Sequence, residues 1–305
     1  MDAVIIHNSS AGNGDVNPDV LRDAVTSLGY TASYQTADDD AWRQDARRAD
    51  LVVVAGGDGT VAKVFIEMTN TLTSIAVLPF GTANNIARTL GIPTDNPWAQ
   101  LQSLDTQSLW FDVPVVQVAG HPRAFVESVG GGLFADLLAN KDDVADSEGN
   151  DGGRQRLRRL IERATAVPWT IDIDGHEVSG DFIAVETMNI KETGPNIALA
   201  PSADPSDGQL ELVLLTIDDR PSLLRMINRR PGSCTASPCH FRTVRGRTIR
   251  IEPSQNINWR IDDELLPASD TNCVNVTVGA PGSGVHLLLR RGSKLVAGGA
   301  DRGGR

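Results

Sequence analysis

The chain has 305 residues, 40% hydrophobic and 22% charged, with 29 glycines and a formal net charge of −11. At about 100–200 residues per domain, this length implies two domains and a sizeable core. Residues 1–150 hold 20 acidic and 8 basic side chains, a net of −12, whereas residues 151–305 sit at +1, so the first half has no global basic face for nucleic acid.

The first hundred residues alternate strand and helix signals. Residues 3–7 (AVIIH) read as a buried strand that runs into a loop rich in Asn, Ser and Gly. Residues 17–28 read as a helix, 31–35 as a short strand and 41–49 as a polar helix. Residues 51–55 (LVVVA) form a continuous apolar run, as buried parallel strands do, and Gly-Gly-Asp-Gly-Thr breaks it. A helix with Val61, Val64, Phe65 and Met68 at helical spacing follows, then a strand at 74–78, a turn at 79–82 and a helix over 83–90. Repeated β-α-β units predict a parallel sheet with helices on both faces. After about residue 112, strands are predicted at 169–174, 178–188, 209–217, 240–252, 257–261, 274–278 and 285–289, with one helix at 221–230. The fold class is therefore an α/β domain over 1–116 and a mostly antiparallel β-sandwich over 117–290. A tail over 291–305 either packs back on the first domain or is disordered.

No apolar run approaches the roughly 18–20 residues that span a bilayer, and the N-terminus is unlike a secretory signal. Cys234, Cys239 and Cys273 complete no zinc pattern and read as reduced thiols of a cytoplasmic protein.

Gly56-Gly57-Asp58-Gly59-Thr60 lies between a buried strand and a helix N-terminus. The glycines let the backbone turn sharply and approach a ligand. The first helical N–H groups have no intrahelical partner, so they form an anion site suited to phosphates, and the Thr60 hydroxyl adds a donor. The loop is neither a Walker A sequence nor a G-x-G-x-x-G fingerprint. Pro79-Phe80-Gly81-Thr82-Ala83-Asn84-Asn85 opens the next helix in the same way. Both loops leave the carboxyl ends of adjacent strands, where open α/β sheets bind ligands.

GGDGT together with PFGTANNIAR at 79–88 resembles the catalytic domain of the diacylglycerol kinase superfamily, shared by bacterial lipid kinases and by sphingosine and ceramide kinases. GGDGT alone also occurs in NAD kinases and phosphofructokinases; the second motif is the more specific. The resemblance extends over nearly the whole chain. Asn8-Ser9-Ser10-Ala11-Gly12 is similar to an N-terminal nucleotide loop, 125–136 to a glycine-rich entry to the second domain, 200–212 to a P-x-A-x-x-x-DG-x-L region, and 261–264 (IDDE) to a DGE signature.

This resemblance implies a lipid kinase that uses ATP and Mg²⁺, with its active site between the two domains. ATP would be held by Asn8, Gly12, Thr36, Gly56, Gly57, Asp58, Gly59, Thr60, Thr82 and Asn84. Asp204, Asp207 and Gln209 would match a structural magnesium site, although Asp-Gly at 207–208 is equally a hairpin turn. Glu264 would be the general base that a poorly nucleophilic alcohol requires, and Asp58 is the rival catalytic carboxylate, orienting the acceptor or meeting Mg²⁺. Three positions depart from the family pattern. Asp263 replaces a glycine, which matters if that position needs φ > 0; Asn85 replaces an aspartate; Ser9 replaces a proline.

Lys63 and Arg88 are either phosphate partners or surface residues. Arg154, Arg156, Arg158, Arg159 and Arg163 surround an apolar stripe of Leu157, Leu160, Ile161 and Ala164. Such a helix either lies on an anionic membrane or docks on its own domain, with the acidic run Asp142, Asp143, Asp146, Glu148 and Asp151 beside it. The resulting expectation is a cytoplasmic, peripherally membrane-associating kinase for a lipid hydroxyl, most simply that of diacylglycerol, with a homodimer left open. The alternatives are an NAD kinase-like enzyme, whose other motifs are missing, and a non-catalytic nucleotide-binding homologue.

Overall fold

A computed structural model describes residues 1–11, 16–103, 107–140, 150–228, 240–266, 273–280 and 282–290. The expectations for Gly12, Cys234, Cys239, the acidic run at 142–148 and the tail at 291–305 lie outside these residues.

The first layered unit contains β1 (Asp2–His7), α1 (Pro18–Thr26), β2 (Thr31–Thr36), α2 (Trp42–Ala46), β3 (Leu51–Gly56), α3 (Asp58–Glu67), β4 (Ser74–Pro79), α4 (Asn85–Thr89) and β5 (Gln107–Phe111). Every residue of β3 is buried, as its apolar run requires of a strand covered on both faces. Alternate side chains point to opposite layers. Val52 and Val54 meet Trp42, Val64 and Phe65 on one face, while Leu51 and Val53 meet Leu21 and Val25 on the other. Helix α1 starts where Asn17 accepts a hydrogen bond from the Asp19 amide and Pro18 fills the first turn.

The second unit contains β6 (Val115–Val118), β7 (His121–Ala124), β8 (Ser128–Gly132), α5 (Leu133–Ala139), α6 (Asn150–Arg163), β9 (Val167–Ile173), β10 (His176–Glu177), β11 (Gly180–Phe182) and β12 (Ala184–Met188). It continues through β13 (Glu192–Thr193), β14 (Ile197–Ala198), β15 (Leu210–Leu215), α7 (Arg220–Ile227), β16 (Arg242–Gly246), β17 (Thr248–Pro253), β18 (Trp259–Ile261), β19 (Glu264–Leu266) and β20 (Val274–Thr277); β21 (Val285–Leu289) ends the described chain. Two antiparallel sheets, ordered β10-β9-β17-β20-β6-β7 and β16-β15-β12-β8-β18-β19, enclose a core of Trp169, Ile171, Val276, Leu212 and Trp259. Helices α5, α6 and α7 cover the outer face of the second sheet.

The structure corrects the sequence reading in three places. The first sheet runs β2-β1-β3-β4-β21-β5 and is mixed, since β21 is parallel to β4 but antiparallel to β5. Residues 285–289, assigned by sequence to the second domain, therefore complete the first one. Val285, Leu287 and Leu289 bury their side chains in its core. The predicted single strands at 178–188 and 240–252 are each two strands in different sheets. β11 pairs with β9 while β12 pairs with β8 and β15; β16 pairs with β15 while β17 pairs with β9 and β20. Both breaks are corners of the sandwich. At the second, the Asp174 carboxylate accepts from the Arg247 and Thr248 amides that leave the ladder.

Candidate active site

The carboxyl ends of β1, β2, β3 and β4 share one edge of the sheet because these strands are parallel. Their loops enclose a cleft of about 430 Å³ lined by Asn8, Gly57, Gly59, Thr60, Lys63 and Thr82, among others. Five of the predicted nucleotide-binding residues thus meet in one place. Thr36 ends β2 beside Ala37, which lines the cleft. Gly56 precedes the cleft and is needed for packing: a Cβ there would approach Thr60 Cβ and Oγ1 to 2.9 Å.

The two motif loops touch through glycine. A Cβ on Gly81 would fall 2.4 Å from Gly57 Cα, so the contact admits no side chain. Phe80 N donates to Gly56 O at 3.0 Å, and Asn8 Nδ2 donates to Thr60 Oγ1 at 3.2 Å, which ties the first loop to the GGDGT turn. Asn84, predicted to meet ATP, is instead turned inward. It lies at φ 53°, accepts from Gly81 N at 2.9 Å and donates to Gly81 O at 2.7 Å, so its amide holds the loop closed. Lys63 reaches the cleft while donating to Ala37 O at 2.8 Å. Arg88 is committed to Glu192, 2.8 Å away.

Asp58 lines a different pocket from the glycine-loop cleft. Its two oxygens accept from Ile86 N and Asn85 N, each at 3.0 Å, at the start of α4. Burial raises its pKa, and those amides work against the rise. With both oxygens engaged by α4, Asp58 positions the second loop.

Next to Asp58 lies a pocket of about 210 Å³ at the junction of the two units. Phe134, Leu137 and Leu138 of α5 form an apolar wall; Asp58, Asn85, Glu127, Arg260 and Asp262 form the polar end. Glu127 is 8% exposed, and Asn85 Nδ2 donates to its Oε2 at 3.3 Å. Burial first, then the charges of Asp58 and Asp262, push its carboxyl well above the usual range. Asp262 is held by three amides: Glu127 N at 2.8 Å, Val126 N at 3.0 Å and Ser128 N at 3.1 Å. Burial nonetheless raises it to about 6. Arg260 Nη2 donates to Thr193 Oγ1 at 2.6 Å and to Ser128 Oγ and Glu186 Oε2 at 2.8 Å, and Nη1 donates to Asp262 O at 2.6 Å. Glu186, fully buried, fits because Gly130 lacks a Cβ, which would lie 2.2 Å from its Oε2.

Glu264 lies outside this pocket. It follows the hairpin turn, is 62% exposed at the side chain, and pairs with Arg123 at 2.5 Å. It lines a second cavity of about 210 Å³ together with Gly59, Glu127 and Asp263. The residue with positive φ in the turn is Asp262, at 49°, and not Asp263. The left-handed conformation falls one residue early because the Asp262 carboxylate must reach back to the β8 amides, and aspartate tolerates it.

Sequence reasoning missed Glu127, Arg260, Glu186 and Asp112. Glu127 and Arg260 sat inside or beside quoted motifs as apparent strand residues; polar residues within apolar runs were the available signal.

The predicted metal residues form a turn whose acids are engaged. Asp204 Oδ1 accepts from Ser206 N at 3.0 Å, Asp207 Oδ1 accepts from Gln209 N at 2.9 Å, and Asp207 Oδ2 pairs with Arg245. Among the described residues no group of three or more His, Cys, Asp or Glu is placed to hold a metal ion. The feature that fits a cation is Asp112, buried beside this turn. Its Oδ2 accepts from Gly208 N at 2.8 Å, while Oδ1 has no partner. Burial, with repulsion from Asp207 and Asp204, lifts Asp112 to about 6.

The basic amphipathic segment is α6, and its apolar stripe faces inward. Leu157 and Ile161 are wholly buried against the core that α5 and α7 share, and Arg154 donates to Ile227 O at 2.9 Å. The stripe therefore docks on its own domain and is not available to a bilayer.

Residues 2–116 match the model of the diacylglycerol kinase catalytic domain, and residues 155–280 match that of the YegS C-terminal NAD kinase beta sandwich-like domain. The chain is 27% identical over 219 residues to a Mycobacterium tuberculosis diacylglycerol kinase, covering 70% of each. It is 27% identical over 304 residues to a probable lipid kinase YegS-like protein of Pseudomonas putida, covering 96% of this chain and 97% of that one. A putative diacylglycerol kinase from Bacillus anthracis has the same fold, with a TM-score of 0.71 at 19% identity and 96% coverage of both chains.

Proposed function

The chain belongs to the diacylglycerol kinase catalytic-domain superfamily, and on that premise we propose that it transfers the γ-phosphate of ATP to a lipid hydroxyl, most simply that of diacylglycerol. The observation that carries this reading is the position of Gly59. It lines the glycine-loop cleft, the pocket with the apolar α5 wall, and the cavity that holds Glu264. A phosphoryl group on the first amides of α3 would sit beside an acceptor bound in the pocket, as in-line transfer requires. The pocket has the two ends an amphipathic acceptor needs: hydrocarbon against α5, hydroxyl among the acids.

This arrangement disfavours the NAD kinase-like alternative. The pyrophosphate of NAD would face Asp58, Glu127 and Asp262 in a low-dielectric site, where like charges repel strongly. In the proposed reaction the amides of the glycine loops and Lys63 hold the nucleotide. Magnesium, bound with the nucleotide, would neutralise charge on the phosphates; at the turn, Asp112 Oδ1 is the unengaged acid oxygen that a separate cation would meet.

No helix among the described residues is long and apolar enough to cross a membrane. We place the protein at the membrane peripherally and transiently, through exposed arginines such as Arg158, whose side chain is 55% exposed. The functional test is transfer from γ-labelled ATP to a panel of diacylglycerol, sphingosine, ceramide and NAD. Label on a lipid phosphomonoester is expected; label on NAD alone, or on nothing, overturns the reading. Liposome sedimentation tests the location: Arg158→Glu/Arg159→Glu is expected to release the protein from anionic vesicles, and unchanged binding removes these arginines from the interface.

A further inference from the structure

The hairpin turn between β18 and β19 approaches the start of α3. A Cβ on Gly59 would lie 3.7 Å from Asp263 Oδ2, and Glu264, the next residue, shares a cavity with Gly59 and Lys63. The backbone of the turn is fixed, because the Asp262 carboxylate accepts from the amides of Val126, Glu127 and Ser128. The turn does not fix the Glu264 side chain. It is 62% exposed, and a glutamate with that freedom loses rotamer entropy when it is held in one place.

The side chain that restrains it is Arg123, whose Nη2 donates to Glu264 Oε2 at 2.5 Å. Arg123 lies on β7, the edge strand of one sandwich sheet, and Glu264 begins β19, the edge strand of the other. The ion pair therefore joins the two sheets, beside a cavity that Gly59, Ala62, Lys63 and Ile66 of α3 also line. Residues 123–128 thus hold both ends of the turn, Asp262 through amides and Glu264 through a guanidinium. The neighbouring cations are engaged elsewhere. Lys63 donates to Ala37 O and pairs with Asp40, while Arg260 donates to Ser128, Glu186, Thr193 and the Asp262 carbonyl.

We propose that Arg123 is a positioning residue for the transfer, aiming the Glu264 carboxylate at the amino terminus of α3. With Oε2 held by Arg123, Oε1 is the oxygen left to take the proton of the acceptor hydroxyl. That hydroxyl oxygen bonds to the γ-phosphorus as the bond from γ-phosphorus to the β-phosphate oxygen breaks, releasing ADP. The proposal rests on the kinase reading above and on Glu264 as the base that the family resemblance implies; what it adds is the group that orients that base. The planar guanidinium fork suits this task, because it sets the direction of a carboxylate as well as attracting it, which a lysine ammonium does less well. A loosely held base a fraction of an ångström out of line loses much of its effect.

The test is a double-mutant cycle on kcat for transfer from γ-labelled ATP to diacylglycerol in phosphatidylcholine/phosphatidylglycerol vesicles. The wild type, Arg123→Met, Arg123→Lys, Glu264→Gln and Arg123→Met/Glu264→Gln are compared, with nucleotide affinity by calorimetry and the urea midpoint measured alongside. An exposed ion pair adds little to stability, so Arg123→Met is expected to keep its urea midpoint. It is expected to lose kcat by about 10-fold while both KM values and nucleotide affinity hold. Arg123→Lys is expected to keep more of kcat than Arg123→Met. Glu264→Gln is expected to lose about 100-fold or more, and adding Arg123→Met to it should cost nothing further, since no base is left to aim. A merely structural role for Arg123 would lower the double variant as much as the single one. The proposal is overturned if Arg123→Met keeps its kcat, if its loss appears in KM or nucleotide affinity, if the loss follows a lowered urea midpoint, if Arg123→Lys does no better, or if the loss is repeated in full on Glu264→Gln. A Glu264→Gln variant with wild-type kcat removes the base and this proposal with it. A wild type that phosphorylates no lipid overturns the kinase reading as well; a wild type that transfers, with Glu264→Gln impaired and Arg123→Met unimpaired, overturns this proposal alone.

Discussion

The glycine-loop cleft and the acid junction lie on either side of Gly59, yet they are built from different material. In the cleft the backbone does the work. Gly57 against Gly81, Phe80 N on Gly56 O, and the Asn84 side chain on Gly81 are contacts that hold amides in place, and Lys63 is the one cation among the described lining residues. At the junction side chains do the work, contributed by α3, α4, β8, β12, β13 and β18. In the proposed reaction a chain of net charge −11 would hold a polyanionic nucleotide through oriented amides that act locally. The acids of the junction would suit the alcohol of the proposed reaction, which must surrender a proton.

The largest effect is expected where the junction is broken. Arg260→Met leaves Glu186 buried at 0% exposure with no counter-ion, which should cost about 3–5 kcal/mol in urea unfolding. Arg260→Met/Glu186→Gln should recover most of that loss; failure to recover would mean that Arg260 acts mainly through Ser128 and Thr193. Gly81→Ala attacks the cleft instead. Its Cβ meets the Gly57 backbone, which cannot move aside as a side chain would, so a loss of about 1–3 kcal/mol is expected together with weakened nucleotide binding by calorimetry. If the two regions are as separable as they look, Arg260→Met at permissive temperature will bind nucleotide normally.

Thr60→Val should have a smaller effect, since it removes the hydrogen bond from Asn8: about 0.5–1.5 kcal/mol of stability and a modest loss of nucleotide affinity. The least expected change is pH-linked. Asp112 is raised to about 6, so the folded state keeps a proton that the unfolded chain has already released. Its contribution is present below the ordinary aspartate pKa and is lost as pH rises through about 6. Relative to wild type, Asp112→Asn should therefore gain stability between acid pH and neutrality, measured as the urea midpoint across that range. Added Mg²⁺ should narrow the difference if the ion uses Asp112.

The glycine-loop cleft was legible because its parts are contiguous. LVVVA, GGDGT and PFGTANN each carry their strand, turn and helix start within a dozen residues, and parallel pairing then brings the loops together. The junction was illegible for the opposite reason. Asn85 and Glu127 are separated by 42 residues, and Arg260 and Glu186 by 74, so no local pattern links them. The two sandwich corners misled for a related reason, since β-strand patterning continues through a corner while the pairing partner changes.

By itself the sequence determined the layered α/β unit, the antiparallel unit after it and the two glycine loops, because hydrophobic period and backbone freedom are local properties. Only the tertiary structure decided that β21 returns to the first sheet, that α6 turns its apolar stripe inward, and that Glu127, Arg260 and Asp262 meet Asp58 at one pocket. Those outcomes depend on which surfaces and donors remain after everything else has packed, and that is settled by the whole chain at once.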